Sequence, residues 1–255
     1  MTRSLDLNCD MGESLGAWTM GEDAAMLDLV SSANIACGFH AGDPPVMRRT
    51  IRMARDKGVR VGAHPGFADL YGFGRRRISG ERPQDLEAQL IYQIVAMQGM
   101  CAVEGHAMTH VKFHGALSNM ACEDADLAAL CAGAIRAVDP SLVFVTMPYS
   151  ELAVAAQKAG LAQACEIFAD RSYGPDGRLT PRSRPGAVIH DPAASARQVL
   201  EMVVEGRIPC TDGSTLPVAA DTLCVHGDTP GAVEIARTLR AALEAEGVAI
   251  APFGA

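Results

Sequence analysis

The sequence predicts an α/β fold in which parallel strands alternate with helices, either as a closed (β/α) barrel or as an open doubly wound sheet. Short apolar runs alternate with longer segments of helical periodicity along nearly the whole chain. Polar residues gather directly after several of the apolar runs, as they do where parallel strands end at a functional face. The 255 residues match the length of one barrel, so we expect a single domain over residues 1–255.

Seven short apolar runs predict the strands. They are Leu5–Cys9, Ser31–Ala36, Val59–Ala63, Ala107–Lys112, Leu142–Thr146, Cys165–Phe168 and Thr222–Val225. Seven is one fewer than the usual eight strands of a barrel, so the open sheet stays as the alternative. No GxGxxG follows the first strand, which removes the main reason to prefer a dinucleotide-binding open sheet.

Seven segments with helical periodicity separate or follow these strands. They are Glu22–Val30, Pro44–Lys57, Pro83–Val103, Asp124–Val138, Glu151–Ala159, Pro192–Glu205 and Pro230–Glu246. Pro44, Pro192 and Pro230 each follow Asp or Thr, which is typical of a helix start. The segment Ala169–Arg184 has neither periodicity, and loops of this length are often lids or binding loops.

Composition narrows the classes of protein and partner. Hydrophobic residues make up 49% of the chain, which is enough for a packed core and excludes a disordered class. The net charge of −8 argues against a nucleic-acid partner or an anionic membrane surface. The eight cysteines form no CxxC pair, and neither a signal peptide nor a membrane span is indicated. We therefore expect reduced cysteines in a cytoplasmic protein.

Polar residues cluster after five of the predicted strands. In chain order they are Asn8, Asp10 and Glu13; His40 and Asp43; His64 and Asp69; Lys112, His114 and Asn119; and His226 and Asp228. The C-terminal ends of parallel strands lie on one face of a sheet or barrel, so these residues are expected to converge. Asp43 and Asp228 could instead be helix N-caps, and His106 and His110 are interpreted as structural.

The strand-end histidines and carboxylates permit two kinds of chemistry. Asp10 or Glu13 beside a histidine could perform general acid–base catalysis. The same side chains could hold a divalent metal, with Asp10, His40 and His64 as candidate ligands, although no HxxH or HExxH spacing is present.

A basic triplet, Arg75-Arg76-Arg77, follows the turn sequence "YGFG" in this acidic chain. It is either a solvated loop or a guanidinium site for a carboxylate or phosphate. Lys112 ends an apolar strand, where an amine is costly unless it reaches a polar pocket. These residues together favour an anionic substrate.

Five ordered motifs resemble the signatures of the family of 5-oxoprolinase A subunits, also called the LamB/YcsF family of lactam-utilisation proteins. They are "DLNCDMGESLG", "SSANIACGFHAGD", "GAHPGFADLYGFGRR", "VKFHGALSN" and "CVHGDTPGA". The resemblance extends from about Leu5 to Ala232 and implies a distorted seven-stranded, TIM-like (β/α) barrel related to polysaccharide-deacetylase folds.

The resemblance also implies a reaction: ATP-dependent opening of the lactam 5-oxo-L-proline (pyroglutamate) to L-glutamate, with partner subunits B and C. ATP would be used by the complex, and this chain has no P-loop. On this interpretation the catalytic residues are Asp10, Glu13, His40, His64, Lys112 and His114. The substrate-binding residues are Asn8, Asn34, Arg75, Arg76, Asn119 and His226.

Two other functions fit the same clusters. A stand-alone metal-dependent deacetylase or amidohydrolase could act on an N-acyl sugar or a cyclic amide. A lactam- or sugar-binding protein without catalysis would need fewer strand-end histidines.

Overall fold

The chain forms a parallel β-barrel surrounded by helices in a computed structural model, which describes residues 3–225, 227 and 231–254. The strands are β1 (Ser4–Met11), β2 (Ser32–Ala36), β3 (Arg60–His64), β4 (Met108–Val111), β5 (Val143–Thr146), β6 (Gln163–Phe168), β7 (Arg207–Pro209), β8 (Thr215–Pro217), β9 (Thr222–Val225) and β10 (Ala249–Ile250). The helices are α1 (Asp23–Met26), α2 (Pro44–Asp56), α3 (Pro83–Val103), α4 (Gly115–Ala121), α5 (Ala125–Val138), α6 (Glu151–Ala159), α7 (Pro192–Val204) and α8 (Ala232–Ala245).

Seven parallel strands close the barrel in the order β1-β2-β3-β4-β5-β6-β9, and β9 pairs with β1. This closure confirms the barrel prediction and excludes the open sheet. Each of the seven predicted strands corresponds to a barrel strand, with small shifts at the ends. Strand β10 pairs in parallel with the first two residues of β1, and β7 and β8 form a separate antiparallel hairpin.

Several elements differ from the prediction for local reasons. The predicted helix Glu22–Val30 is reduced to α1, which gives way to turns after Met26. Helix α4, the β7–β8 hairpin and β10 were not predicted, because each is too short to show a period. In the described part of the last predicted helix, α8 begins at Ala232.

Two predicted helix starts follow the expected chemistry. The Asp43 side chain accepts a hydrogen bond from the Val46 backbone N–H, and Asp191 accepts from Ala193 and Ala194. Pro44 therefore follows a genuine N-cap, as the sequence indicates. The predicted start at Pro230 and the possible cap at Asp228 lie outside the described residues.

Alternate residues of a strand point to opposite sides of the barrel wall. The residues of β1 that point into the barrel are polar. Along β1, Leu5, Leu7 and Cys9 pack in the hydrophobic core between barrel and helices. The intervening Asp6 and Asn8 form hydrogen bonds across the barrel. Their partners include Ser32, Thr222, Asn34 and Glu166. The resulting network leads upward to the C-terminal ends of the strands.

Candidate functional site

A cavity of about 510 Å³ opens at the C-terminal end of the barrel. Its inner wall includes Asp10 from β1, His64 from β3, and Glu166 from β6. Lys112 and His114, which follow β4, also line it. The strand-end convergence expected of a parallel barrel therefore brings distant residues into one space.

Three buried histidines pack together beside this cavity. The rings of His40 and His114 stack with their centroids 3.8 Å apart. The His64 ring stands edge-on to both, at 5.5 Å from His40 and 4.9 Å from His114. Each of the three residues is less than 5% exposed, so water does not solvate them well. Burial, followed by the neighbouring His64, lowers the pKa of His114 to about 3, so its ring is neutral at pH 7.

Backbone carbonyls determine which nitrogens of two of these rings carry protons. His64 Nδ1 lies 2.7 Å from the Lys112 carbonyl oxygen, and His114 Nε2 lies 2.8 Å from the Phe73 carbonyl oxygen. Because a carbonyl only accepts, both nitrogens must donate. His64 Nε2 and His114 Nδ1, which are 2.9 Å apart, then face each other with lone pairs when the rings are neutral. A cation shared by His64 Nε2 and His114 Nδ1 would be bound by both lone pairs.

The third ring is suited to the same role. Neither nitrogen of His40 has a hydrogen-bond partner among the described residues, although both are buried. Burial, with His114 and His64 nearby, holds the pKa of His40 well below its usual value. Glu13 completes a group in which one ligand atom from each of the four residues lies within 4.8 Å of the others. Three imidazoles and a carboxylate, two of the rings oriented by carbonyls, fit a divalent transition metal.

Glycines make room for the histidine cluster. A Cβ at Gly66 would lie 2.8 Å from His40 Nδ1, and a Cβ at Gly74 would lie 2.7 Å from the His114 ring. Gly74 also has φ +60°, which disfavours other residues. Gly66 and Gly74 are therefore explained by close packing against the imidazoles.

A buried ion cluster adjoins the histidines. Lys112 Nζ lies 2.9 Å from Asp10 Oδ1, 2.7 Å from Glu166 Oε1 and 3.1 Å from Cys224 Sγ. Burial opposes the charge, but Asp10, Cys224 and Glu166 raise the pKa of Lys112 well above its usual value. Burial also raises the pKa of Glu166, against the effect of Lys112. Asp10 Oδ2 is 3.3 Å from His64 Nε2, so Asp10 links the ion cluster to the imidazoles.

Arginines from two loops surround the outer part of the cavity. Arg75 and Arg77 come from the loop between β3 and α3. Arg171, Arg178 and Arg182 come from the segment between β6 and α7. This concentration of positive charge in a chain of net charge −8 suits an anionic ligand.

The sequence model of the LamB/YcsF family matches residues 5–255. The chain belongs to the LamB/YcsF family. This confirms the resemblance found in the sequence motifs.

Named relatives of this LamB/YcsF chain are similar over nearly their whole length. It is 54% identical over 249 residues to the 5-oxoprolinase A subunit of Rhodopseudomonas palustris (strain ATCC BAA-98 / CGA009), covering 98% of each chain. It is 53% identical over 251 residues to a 5-oxoprolinase A subunit, numbered 2, of Bradyrhizobium diazoefficiens, again covering 98% of each.

Solved structures confirm the fold. The lactam utilization protein from Thermus thermophilus superposes with a TM-score of 0.93 at 46% identity, covering 98% of this chain and 100% of that chain. A T48 deacetylase superposes with a TM-score of 0.50 at 13% identity, covering 98% of this chain and 88% of that chain, which shows the fold alone.

The structure brings most of the predicted site residues of this LamB/YcsF protein to one place. The catalytic candidates Asp10, Glu13, His40, His64, Lys112 and His114 form the histidine and ion clusters described above. Arg75 and Asn119 line the cavity, and Asn8 and Asn34 lie beneath it in the polar network. Arg76 binds the buried Asp69. His226 lies outside the described residues.

The residues interpreted as structural have ordinary partners. His110 Nε2 lies 2.9 Å from Asn34 Oδ1, and His106 Nε2 lies 3.0 Å from the Val59 carbonyl. All eight cysteines are free thiols. Among the described helices, none is both long and apolar enough to cross a bilayer.

Two charged and buried cavity residues, Glu166 and Arg171, were not predicted from the sequence. Glu166 lies within the apolar run Cys165–Phe168. A lone carboxylate in an otherwise apolar strand was the sequence feature that could have identified it. Arg171 lies in the irregular segment after β6, where no period indicates which side chains are buried.

Proposed function

We propose that this chain is the A subunit of an ATP-dependent 5-oxoprolinase and opens 5-oxo-L-proline (pyroglutamate) to L-glutamate together with subunits B and C. Family membership and full-length relatives named as 5-oxoprolinase A subunits support this assignment. So does the similarity to a lactam utilization protein. We also propose that the complex works in the cytoplasm.

The observation that carries the proposal is the pairing of Asp10 and Lys112 beside the Glu13 and histidine cluster in one cavity. Hydrolysis of an unstrained lactam must overcome amide resonance. It needs an activated water, a stabilised oxyanion and a proton for the leaving nitrogen. Coupling to ATP is chemically reasonable for such a bond, and the chain has no P-loop, so we assign ATP chemistry to subunits B and C.

Asp10 is the best candidate for the general base. Its Oδ1 accepts hydrogen bonds from Lys112 Nζ and from Asn34 Nδ2 at 2.9 Å each. These donors orient the carboxylate while Oδ2 lies next to His64. A carboxylate held in this way beside a cavity can accept a proton from water.

Glu13, His40, His64 and His114 are the proposed ligands of a divalent metal. Such an ion would supply Lewis-acid polarisation of the amide carbonyl and lower the pKa of bound water. The unpartnered nitrogens of His40 and the facing lone pairs of His64 and His114 support this assignment. The sequence had suggested Asp10 as a ligand; the proposal gives that position to Glu13 and leaves Asp10 as the base.

The test is glutamate formation from 5-oxo-L-proline and ATP by subunits B and C, with and without this chain. We expect glutamate only when the chain is present, and loss of activity after chelation with recovery on adding metal. Metal content of the purified chain, measured by mass spectrometry, should fall in a His64→Ala variant. If B and C work equally well without the chain, the assignment is wrong.

The role of Asp10 is tested in the same assay. Asp10→Asn keeps the shape of the side chain and should lower turnover by about 10²–10⁴-fold, the usual contribution of a general base. Asp56→Asn, on the exposed end of α2, is the matched control and should leave turnover unchanged. Full activity in Asp10→Asn would remove it from this role.

The Glu13 and histidine cluster also favours a second candidate, a metal-dependent amidohydrolase or deacetylase that acts alone. This enzyme would hydrolyse an N-acyl sugar or cyclic amide without ATP or partners. Hydrolysis by the isolated chain that chelation abolishes would select this candidate.

A further inference from the structure

Arg171 is a buried cation that the proposed mechanism does not use. It is 5% exposed and lines the cavity. Its Nε donates to the Ala187 carbonyl at 3.3 Å and an Nη to the Thr180 carbonyl at 2.6 Å. Both acceptors are neutral, and among the described residues no carboxylate forms an ion pair with it. Within residues 3–225, 227 and 231–254 the guanidinium is held by loop carbonyls and is not neutralised by an ion pair.

A charge in this position is costly unless an anion balances it, since burial removes much of its hydration. Burial, followed by repulsion from Arg182 and against a smaller attraction to Asp170, lowers the pKa of Arg171 to about 10. The side chain is therefore still protonated at pH 7. A buried cation of this kind facing a cavity is best explained by an anionic ligand.

Two further arginines act on the same region. Arg75 and Arg182 line the cavity, and both are close enough to repel the charge of Arg171. Like charges this close repel one another, and an anion bound between the guanidinium groups would reduce that repulsion. The three side chains come from two loops, those after β3 and after β6, so local sequence does not force this meeting.

Two other candidate anion holders are paired with protein carboxylates. Lys112 lies between Asp10 and Glu166, and Arg76 is bound to Asp69. Arg171 follows β6 three residues after Phe168, whose ring lies 5.4 Å from Lys112 Nζ. The arginine group is thus next to the ion cluster but is not part of it.

We infer that Arg171, with Arg75 and Arg182, binds the carboxylate of the substrate, so that the site selects lactam acids over uncharged lactams. A guanidinium offers two parallel N–H donors that match the two oxygens of a carboxylate. The inference rests on the proposed function, because it names the part of the lactam that these residues recognise. Arg171 also holds the loop that contains Arg178 and Arg182 in place, since it donates hydrogen bonds to two backbone carbonyls of that loop.

Calorimetric titration of the full chain tests this inference without ATP or partner subunits. The ligands are 5-oxo-L-proline and 2-pyrrolidinone, which is the same ring without the carboxylate. We expect 5-oxo-L-proline to bind at least about tenfold more tightly, as a charged hydrogen-bonded pair implies. Arg171→Gln should weaken its binding by about 10–100-fold and leave 2-pyrrolidinone binding unchanged.

Arg184→Gln is the matched control, because Arg184 is exposed in the same loop and does not line the cavity. It should bind both ligands like the wild type. If Arg171→Gln fails to fold, Arg182→Gln provides the second test, since Arg182 is exposed and its removal should weaken 5-oxo-L-proline binding by about 3–10-fold.

Three outcomes would overturn the inference: equal affinity for the two lactams, no binding of 5-oxo-L-proline, or unchanged binding in the arginine variants. Inorganic phosphate is a further probe. Phosphate binding that needs Arg171, without any preference for the lactam acid, would assign the site to a phosphoryl group instead. The two failures are distinguishable. If the chain binds 5-oxo-L-proline through Arg171 but adds no glutamate formation to subunits B and C, the proposed function is wrong and the inference stands.

Discussion

His110 and His40 are both fully buried in this barrel, but their surroundings differ completely. His110 lies in the polar interior, with Nε2 2.9 Å from Asn34 Oδ1 and Nδ1 2.9 Å from the Thr109 hydroxyl. His40 lies at the C-terminal end, and neither of its ring nitrogens has a hydrogen-bond partner in the described part of the chain. The same side chain is thus satisfied in one region and unsatisfied in the other.

The difference separates the part of the barrel that supports the site from the part that binds. The interior network around Asp6, Asn8 and Asn34 satisfies its donors and acceptors within the protein. Unsatisfied buried polar groups cost free energy, and they persist where a ligand provides the missing partner. Removing a satisfied group should therefore cost stability, whereas removing an unsatisfied one should cost function.

The largest effect on stability is expected at Lys112, which joins the two regions. Lys112→Met would leave the buried carboxylates of Asp10 and Glu166 without their cation. Breaking a buried ion pair costs about 3–5 kcal/mol, or a fall of roughly 6–20 °C in melting temperature. Calorimetric melting measures it, and Lys158→Met on α6 is the control. An unchanged melting temperature would mean that the buried carboxylates are neutral.

The barrel could be predicted from the sequence because two signals agreed. Apolar runs marked the seven strands, and the polar residues after them marked one face. The β7–β8 hairpin and β10 contain two or three residues per strand, which is too few to show a period. Their positions depend on contacts with elements that are distant in sequence.

The candidate site was predictable only where its residues follow strands. This rule found the histidines and Asp10, but Glu166 is inside a strand and faces the barrel interior. Arg171 is buried by a loop whose course depends on tertiary contacts, including Tyr173, which is 1% exposed. Lone-pair orientation at His64 and His114 depends on carbonyls from other segments, which no spacing reveals.

The second largest effect is a loss of stability in acid. Burial lowers the pKa of His110 from 6.5 to about 3, so the unfolded chain binds this proton more readily than the folded chain. The stabilisation is complete above pH 7 and is lost as the pH falls from about 6.5 towards 3. The slope is about 1.4 kcal/mol per pH unit, or about 3 kcal/mol between pH 7 and 4.

Urea unfolding of wild type and His110→Phe at several pH values isolates this contribution. Because Phe does not titrate, the variant should lose less stability between pH 7 and 4 than the wild type does. Parallel pH profiles for the two proteins would contradict the buried neutral state of His110.

At pH 7 the same His110→Phe substitution should have a smaller effect. It leaves Asn34 Oδ1 and the Thr109 hydroxyl without their imidazole partner. An unsatisfied buried group costs about 1–3 kcal/mol, which urea unfolding at pH 7 can measure. Turnover should fall much less than in variants of the cavity residues. If the variant were as stable as the wild type, loss of these two hydrogen bonds in the barrel interior would have no cost in stability.

The smallest effect on stability is expected for His40→Phe, the matched substitution at the cavity. No hydrogen bond within the described chain is lost, and the new ring can keep the 3.8 Å stacking on His114. We expect the free energy of unfolding of the metal-free protein to change by less than about 1 kcal/mol, because packing is nearly preserved. Metal content and glutamate formation should both fall sharply, since a ligand is removed. The opposite pattern, lower stability with metal binding intact, would make His40 a structural residue and remove the contrast with His110.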